Sequence, residues 1–215
     1  MKNIDENFRK DGSVKKSLKE RNRERREKWI VEAASNLFRD RGYQSTRIED
    51  IAEAAEVSPG TVYSYFETKE NILLAILLLH RKSIGSRRLR VVDSPPNDLT
   101  EAMILYEKER LWHATRYLDR PLWRRIAAAG IMSPWSALGK KSIELDTGPH
   151  LERLKIFSIL ADRGLVPAGF QIERAAEVLR AVSLYVWLKF LREDITTLED
   201  AQDEIEKNVR MILRD

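Results

Sequence analysis

Residues 46–66 hold two short stretches of helical periodicity that are separated by a turn. Thr46 and Glu49 have the spacing of a capping box at the start of the first stretch. Ser58 and Pro59 suit the N-cap and the first helical position of the second stretch. Between these caps, apolar residues keep helical spacing at Ile48, Ile51, Ala52 and Ala55. The pattern predicts a helix-turn-helix over residues 46–66.

Helical periodicity continues on both sides of this motif. The preceding helix is predicted to end at Gly42, which suits a left-handed C-cap, and Thr68 can cap the helix that follows. The apolar stripe of the preceding helix comprises Ile30, Ala33, Ala34, Leu37 and Phe38, and that of the following helix comprises Ile72, Leu73, Ile76, Leu77 and Ile84. Since no segment shows sustained alternation of apolar and polar residues, we predict an all-α fold.

The chain divides at residues 93–97, where two prolines prevent a helix from continuing. We predict a basic, flexible N-terminal arm over 1–24, a helix-turn-helix domain over 25–88 and a second helical domain over 97–215. Residues 1–30 carry 11 Lys or Arg against six Asp or Glu, which suits an anionic partner at this end. Helices of the second domain are predicted at about 98–119, 121–129, 149–163, 172–193 and 198–214, separated by glycines and prolines that include Gly139, Gly148 and Pro149.

Composition excludes several classes of site. The chain has no cysteine, so it forms neither a disulfide nor a thiolate metal site, and a reducing cytoplasm is the compartment expected. Its three histidines are scattered, and we expect no metal and no cofactor. No apolar run approaches the ~20 residues of a membrane span, and the start lacks the apolar core of a secretory signal. Motifs of serine hydrolases, zinc proteases and P-loop enzymes are absent, so we expect no enzyme.

The second helix of the motif has one outward face. At 100° per residue, Val62 and Phe66 point toward the interior, whereas Gly60 and Ser64 point away from it. Small outward residues let the backbone approach DNA closely, and neighbouring hydroxyl groups can contact bases and phosphates. The neighbours in question are Thr61, Tyr63 and Tyr65, together with Lys69, whose charge at the start of the next helix suits a phosphate.

Residues from Phe38 to Glu70 fit the motif F-x-x-x-G-Y-x-x-T-x-x-x-D-I-A-x-x-A-x-V-S-x-G-T-V-Y-x-Y-F-x-x-K-E, and the apolar Leu73 comes three residues after its end. It resembles the amino-terminal domain of the tetracycline-repressor (TetR) family over about residues 25–85. The resemblance implies a homodimer that joins through helices 172–192 and 198–214, and a second domain that binds a small inducer. It implies double-stranded DNA contacts at Thr46, Arg47, Ser58, Gly60, Thr61, Tyr63, Tyr65 and Lys69, to which we add Pro59 and Ser64 on the outward face.

Two positions depart from the family's pattern. Glu56 stands where glycine is frequent, so a left-handed backbone there would carry a strain of about 1 kcal/mol or more. Pro59 stands where relatives often have a basic residue, and it offers no charge. The basic arm is therefore expected to contribute contacts through Arg21, Arg23, Arg25 and Arg26, with a solvated tail as the alternative.

The second domain offers candidates for a ligand pocket. Such pockets are mostly apolar, with a few well-placed polar groups. His113 and Arg116 could bind an anionic head group, or they could form an exposed pair on a helix. The aromatic and aliphatic candidates could equally be ordinary core residues. The full set is Trp112, His113, Arg116, Tyr117, Trp123, Ile126, Trp135, Phe157 and Tyr185.

These features favour a ligand-responsive transcription regulator over two other classes. The favoured hypothesis is a repressor that binds a palindromic operator as a dimer and is released by a small-molecule inducer. The alternative is a DNA-binding protein of the same fold without an inducer, associated with the nucleoid or with division. An enzyme is disfavoured by the missing motifs. The sequence leaves the choice between repression and activation open.

Overall fold

The computed structural model describes residues 17–82 and 86–213, in which every regular element is a helix and no strand is present. The all-α prediction is therefore confirmed. Among these residues, no helix combines the length and apolarity that crossing a bilayer requires. The helices are α1 Leu18–Arg41, α2 Ile48–Ala54, α3 Pro59–Phe66, α4 Lys69–Lys82, α5 Ser86–Asp93, α6 Leu99–Tyr117, α7 Arg120–Met132, α8 Ala137–Asp162, α9 Ile172–Arg192 and α10 Leu198–Leu213.

Helices α2 and α3 form the helix-turn-helix. The Ser58 side chain accepts a hydrogen bond from the Thr61 N–H, and Pro59 occupies the first turn of α3, as the sequence predicted. Helix α2 begins later than predicted: the Arg47 N–H donates to the Asp50 carboxylate (2.7 Å), so Asp50 and not Glu49 closes its first turn. In the turn between the helices, Glu56 has φ +54°. This is the strained left-handed conformation that was considered for Glu56, which stands where glycine is frequent in the family.

Helix α1 begins at Leu18, inside the segment 1–24 predicted to be a flexible arm. Ser17 and Glu20 form a capping box: the Glu20 N–H donates to Ser17 Oγ (3.2 Å) and the Ser17 N–H donates to the Glu20 carboxylate (2.7 Å). Residues 18–24 are therefore helical, and residues 1–16 of the predicted arm lie outside the described residues.

Helix α8 begins at Ala137 and not near residue 149, and it continues through Gly148 and Pro149. Tertiary packing outweighs the helix-breaking tendency of these residues. At Gly139 the start of α8 lies so close to the end of α7 that an added Cβ would stand 2.1 Å from the Ser133 carbonyl oxygen. Glycine is thus required at this crossing.

Helix α5 was not predicted, although its Val91 and Val92 are buried. They join an apolar core that is shared by α5, α6, α8, α9 and α10. A second core is built by α1 to α4, and Leu122, Ile126 and Ala129 of α7 belong to it. Helix α7 therefore packs against the helix-turn-helix domain, across the domain boundary predicted from the sequence.

Candidate nucleic-acid interface and interior cavity

Helix α3 turns one face to solvent. Val62 is fully buried and Phe66 nearly so, whereas the Tyr63 side chain is 48% exposed. Pro59, Gly60 and Ser64 are exposed on the same side as Tyr63. This burial pattern agrees with the faces predicted from the helical spacing, and it leaves Tyr63 as the largest group on the outward face.

Hydroxyl groups at the start of α3 are held by local hydrogen bonds. The Ser58 and Thr61 hydroxyl oxygens lie 2.9 Å apart, and Ser64 Oγ donates to the Thr61 carbonyl (2.7 Å). Each hydroxyl is thereby oriented before any partner binds, although each keeps capacity for a further hydrogen bond. Tyr65 is half-buried beside them and packs against the core of the domain.

Thr46 and Arg47 lie on opposite sides of the chain at the start of α2. Arg47 is exposed. Thr46 is fully buried, and its hydroxyl donates to the carbonyls of Gly42 (2.9 Å) and Leu37 (3.3 Å). A side chain engaged in this way ties α2 to the end of α1, and a DNA contact at Thr46 stays a prediction.

The Lys69 ammonium is also turned inward. Its Nζ donates to the carbonyls of Tyr43 (2.8 Å) and Thr46 (2.9 Å), and lies 4.4 Å from the centroid of the Tyr43 ring. Burial, and then the charge of Arg125, lower the pKa of Lys69. Lys69 therefore stabilises the connection between α1 and α2, and a phosphate contact at its ammonium group stays a prediction.

The amino-terminal turns of α1 carry basic side chains beside α3. Arg23 lies over the Tyr65 ring, 5.7 Å from its centroid, and a surface depression is lined by Lys19, Asn22, Arg23, Arg26 and Tyr65. Arg25 instead lies over the Trp29 ring, at 5.2 Å. Part of the predicted basic arm is thus a helical extension of α1 beside Tyr65 of α3. The Ser17 to Glu20 capping spacing was the sequence signal that could have revealed it.

A cavity of about 350 Å³ is lined by residues of α4, α5, α6, α7, α8 and α9. Its walls are mainly apolar, and the Trp123 and Trp187 rings meet edge-on there, with centroids 5.3 Å apart. Trp123 Nε1 donates to the Ala114 carbonyl (2.8 Å), which fixes the ring. The polar lining comprises Arg88, Arg110, His113, Ser142, Asp146, Arg153 and Ser183.

A buried ion cluster stands at one wall of this cavity. Glu107 is fully buried and accepts hydrogen bonds from Arg153 Nε (2.6 Å) and Arg110 Nε (2.9 Å). Burial would raise the pKa of Glu107, but Arg153 and Arg110 hold it below its usual value, so the carboxylate stays ionised. Sequence reasoning missed all three residues, because charged residues on long amphipathic helices are usually solvated. The described residues contain no group of His, Cys, Asp or Glu suited to a metal ion.

The helix-turn-helix segment matches a known family. Residues 30–76 match the model described as "Bacterial regulatory proteins, tetR family". The chain is also 36% identical over 86 residues to the HTH-type transcriptional regulator YuxN of Bacillus subtilis, a stretch that covers 38% of this chain and 30% of YuxN. Residues 30–76 therefore form a helix-turn-helix domain of the TetR family. In the match to YuxN, the chain spans less than a third of the relative's length.

Two solved structures share the fold of this chain over most of its length. FadR from Thermus thermophilus, a TetR-family transcriptional repressor in complex with lauroyl-CoA, has a TM-score of 0.62 at 24% identity and aligns over 87% of this chain and 93% of its own. AibR, in complex with isovaleryl coenzyme A and operator DNA, has a TM-score of 0.55 at 20% identity over 86% and 97%. These identities show the fold, which extends the likeness beyond the helix-turn-helix.

The candidate ligand residues fall into two groups, those that line the cavity and those that do not. His113, Trp123 and Ile126 line it. Burial, and then the charges of Arg88 and Arg116, lower the pKa of His113, so its ring is neutral at pH 7. The cavity also contains polar residues that were not predicted, chiefly Arg110 and Ser183.

The remaining candidates do not line the cavity. Arg116 lies over the exposed Trp112 ring, 4.9 Å from its centroid, whereas His113 is buried, so the two do not form an exposed pair on the helix. Phe157 is core, beside Phe170. Trp135 and Tyr185 are exposed, and the side chain of Tyr117 lies outside what the structure describes. Helical spacing alone cannot distinguish these positions, because which face of a helix is covered depends on its neighbours.

Proposed function

We propose that this TetR-family chain is a transcription regulator that binds a palindromic operator as a homodimer and releases it when a small molecule occupies the cavity. The observation that carries the proposal is the exposed face of α3. Its outward residues combine small side chains with Tyr63, while Val62 and Phe66 hold the helix on the domain. A helix presented in this way can enter the major groove, with its exposed side chains against base edges.

The basic turns of α1 add to this surface. Lys19, Arg23 and Arg26 lie beside Tyr65, on the side of the domain that carries α3. We therefore place phosphate contacts at these side chains as well. The proposed DNA contacts of the motif are Thr46, Arg47, Ser58, Pro59, Gly60, Thr61, Tyr63, Ser64, Tyr65 and Lys69.

Dimerisation is supported by an unpaired apolar stripe on α9. The stripe consists of Val178, Ala181, Tyr185 and Leu188, which are exposed and recur on one side of the helix. By contrast, α10 buries its apolar residues against its own chain, and Met211 is its large exposed apolar residue. An exposed apolar stripe of this kind marks an association surface. We propose that two copies join mainly through α9, with α10 beside it.

Release by a ligand is supported by the position of the cavity. Trp123 and Ile126 of α7 line it, and Leu77 of α4 reaches it from the helix-turn-helix domain. A ligand that favours one arrangement of these helices would change the spacing of the two α3 helices in a dimer. Differential affinity for two arrangements is what couples two sites, typically by about 1–3 kcal/mol.

Capture of fragmented genomic DNA by the purified full chain, at one near-physiological salt concentration, tests the proposal. We expect a few strongly enriched sites that share an inverted repeat, because a symmetric dimer reads two half-sites. Diffuse enrichment across the genome would support the alternative of a nucleoid-associated protein. If no fragment were enriched, the assignment of α3 as a reading helix would fail.

A further inference from the structure

The cavity holds buried hydrogen-bond donors that the described residues leave unsatisfied. Arg110 Nη2, Arg88 Nε and Ser183 Oγ are each buried without a hydrogen-bond partner in residues 17–82 and 86–213. All three side chains line the same cavity, although they come from α6, α5 and α9. A buried donor without an acceptor lowers the stability of the fold, and more so when the donor is charged. Three of them around one apolar cavity indicate that a ligand supplies the acceptors.

The two guanidinium groups are held in place by their other nitrogen atoms. Arg110 Nε donates to the buried Glu107 carboxylate (2.9 Å), and Arg88 Nη2 donates to Glu152 (3.0 Å). Ser183 is only 2% exposed. The donors are therefore fixed before a ligand arrives, which lowers the entropic cost of binding.

The charges at the cavity favour a single anion. Glu107 is shared between Arg110 and Arg153, so two positive groups face one negative group. Asp146 also lines the cavity, but its carboxylate accepts two hydrogen bonds from Arg180 (2.8 and 2.6 Å). Arg88 is likewise balanced by Glu152. Within the cluster of Arg110, Arg153 and Glu107 one positive charge is left over, and a ligand with one negative charge would neutralise it.

The rest of the cavity sets the shape of the ligand. Trp123, Ile126 and Trp187 provide apolar walls, and a volume of about 350 Å³ lies near the lower end of ligand cavities, which span ~300–1,000 Å³. A nucleotide-sized group would exceed this space. We infer that the cavity binds a small apolar monocarboxylate, whose carboxylate accepts hydrogen bonds from Arg110, Arg88 and Ser183. The inference rests on the proposed function in taking this cavity as the inducer site.

Binding to the full chain without DNA provides the test. The probes are octanoate, the uncharged octan-1-ol and octanoyl-CoA, and the signal is the fluorescence of the tryptophans that line the cavity. We expect octanoate to bind at least 10-fold more tightly than octan-1-ol. Equal affinity of acid and alcohol would overturn the inference. It would also fail if octanoate did not bind at 10 mM, or if octanoyl-CoA bound and octanoate did not.

Two variants locate the carboxylate. Ser183→Ala removes a hydroxyl that lacks a partner among the described residues, so the fold should be unaffected, and we expect octanoate affinity to fall ~10-fold. For Arg110→Gln we expect a fall of ~100-fold, with octan-1-ol unchanged in both variants. Ser158→Ala, at an exposed serine of α8, is the matched control and should bind octanoate normally. Unchanged octanoate affinity in Ser183→Ala would contradict the assignment.

Operator binding distinguishes this inference from the proposed function. If octanoate fails to bind while the chain still captures an inverted repeat, only the ligand class is wrong. If octanoate binds as expected but no operator is captured, the carboxylate site stands and the regulatory role fails.

Discussion

The guanidinium group of Arg125 lies over the Tyr43 ring, 4.5 Å from its centroid. Arg125 belongs to α7, whereas Tyr43 belongs to the connection between α1 and α2, which Lys69 also holds. Burial raises the pKa of Tyr43, with Arg125 opposing the rise, so its hydroxyl stays protonated at neutral pH. Trp123 and Ile126 of α7 line the cavity. Helix α7 therefore links the cavity to the segment between α1 and α2.

Removing the Arg125 side chain should loosen this connection locally. In Arg125→Ala we expect faster amide hydrogen exchange at residues 43–46 and a loss of about 0.5–2 kcal/mol in stability, since a cation lying over an aromatic ring contributes on that order. Hydrogen exchange read by mass spectrometry measures both. Arg124→Ala is the control, because Arg124 bonds the Leu191 carbonyl and Asp194 at the end of α9. In Arg124→Ala, amide exchange should become faster at the end of α9 and stay unchanged at residues 43–46. Unchanged exchange at residues 43–46 in Arg125→Ala would show that Arg125 does not hold the segment between α1 and α2.

The basic side of α1 should control the salt dependence of DNA binding. Arg23→Ala combined with Arg26→Ala removes two cations beside Tyr65. We expect the slope of log K against log salt to become shallower by about 0.9 for each DNA phosphate that the variant no longer neutralises. Fluorescence anisotropy at several salt concentrations measures the slope. The charge-matched control combines Lys140→Ala with Lys207→Ala, at exposed lysines of α8 and α10, and should leave it unchanged. An unaltered slope in the arginine variant would show that α1 does not contact DNA.

A charge in the α9 stripe should weaken dimerisation. Tyr185 is 57% exposed in the single chain, so Tyr185→Asp should not disturb the fold. We expect the dimer dissociation constant to rise at least ~10-fold, because an unpaired carboxylate would be buried at the interface. Sedimentation equilibrium provides the measurement. Trp135→Asp, at a side chain that is 74% exposed outside α9, should have no effect. Equal dissociation constants for the two variants would exclude the α9 interface.

The left-handed turn residue should be replaceable with a gain in stability. Glu56 has φ +54°, so Glu56→Gly relieves strain and should raise the free energy of unfolding by up to about 1 kcal/mol. Glu53→Gly makes the same chemical change at an exposed position within α2 and should lower it by about 1 kcal/mol. Thermal denaturation of both variants measures the difference. A loss of stability in both would mean that Glu56 carries no strain.

Local chemistry determined which parts of the fold were predictable. The caps at Ser58 and Thr68 and the apolar spacing of α3 act within a few residues, so they could be interpreted from neighbours in the chain. The same logic applied to Ser17 and Glu20 would have extended α1. Glu56 was recognised because a single missing glycine changes a backbone preference.

Long-range packing determined what was missed. The Lys69 ammonium bonds carbonyls more than 20 residues away, and Arg153 reaches Glu107 over a sequence separation of 46. No periodicity encodes such pairs. Helix α8 continues through Pro149 because its two halves pack against other helices, a constraint that local propensity does not contain. The ligand residues were only partly anticipated for the same reason.

Hydroxyl-radical footprinting of a captured site, with the wild-type chain and with Tyr63→Ala, tests most directly whether α3 reads DNA in a dimer. For the wild type we expect two protected segments whose centres lie one helical turn, ~34–36 Å, or a multiple of it, apart. With Tyr63→Ala, both protected segments should disappear together at the same protein concentration, while the variant remains folded and dimeric. A single protected segment, or an identical footprint with Tyr63→Ala, would contradict the account.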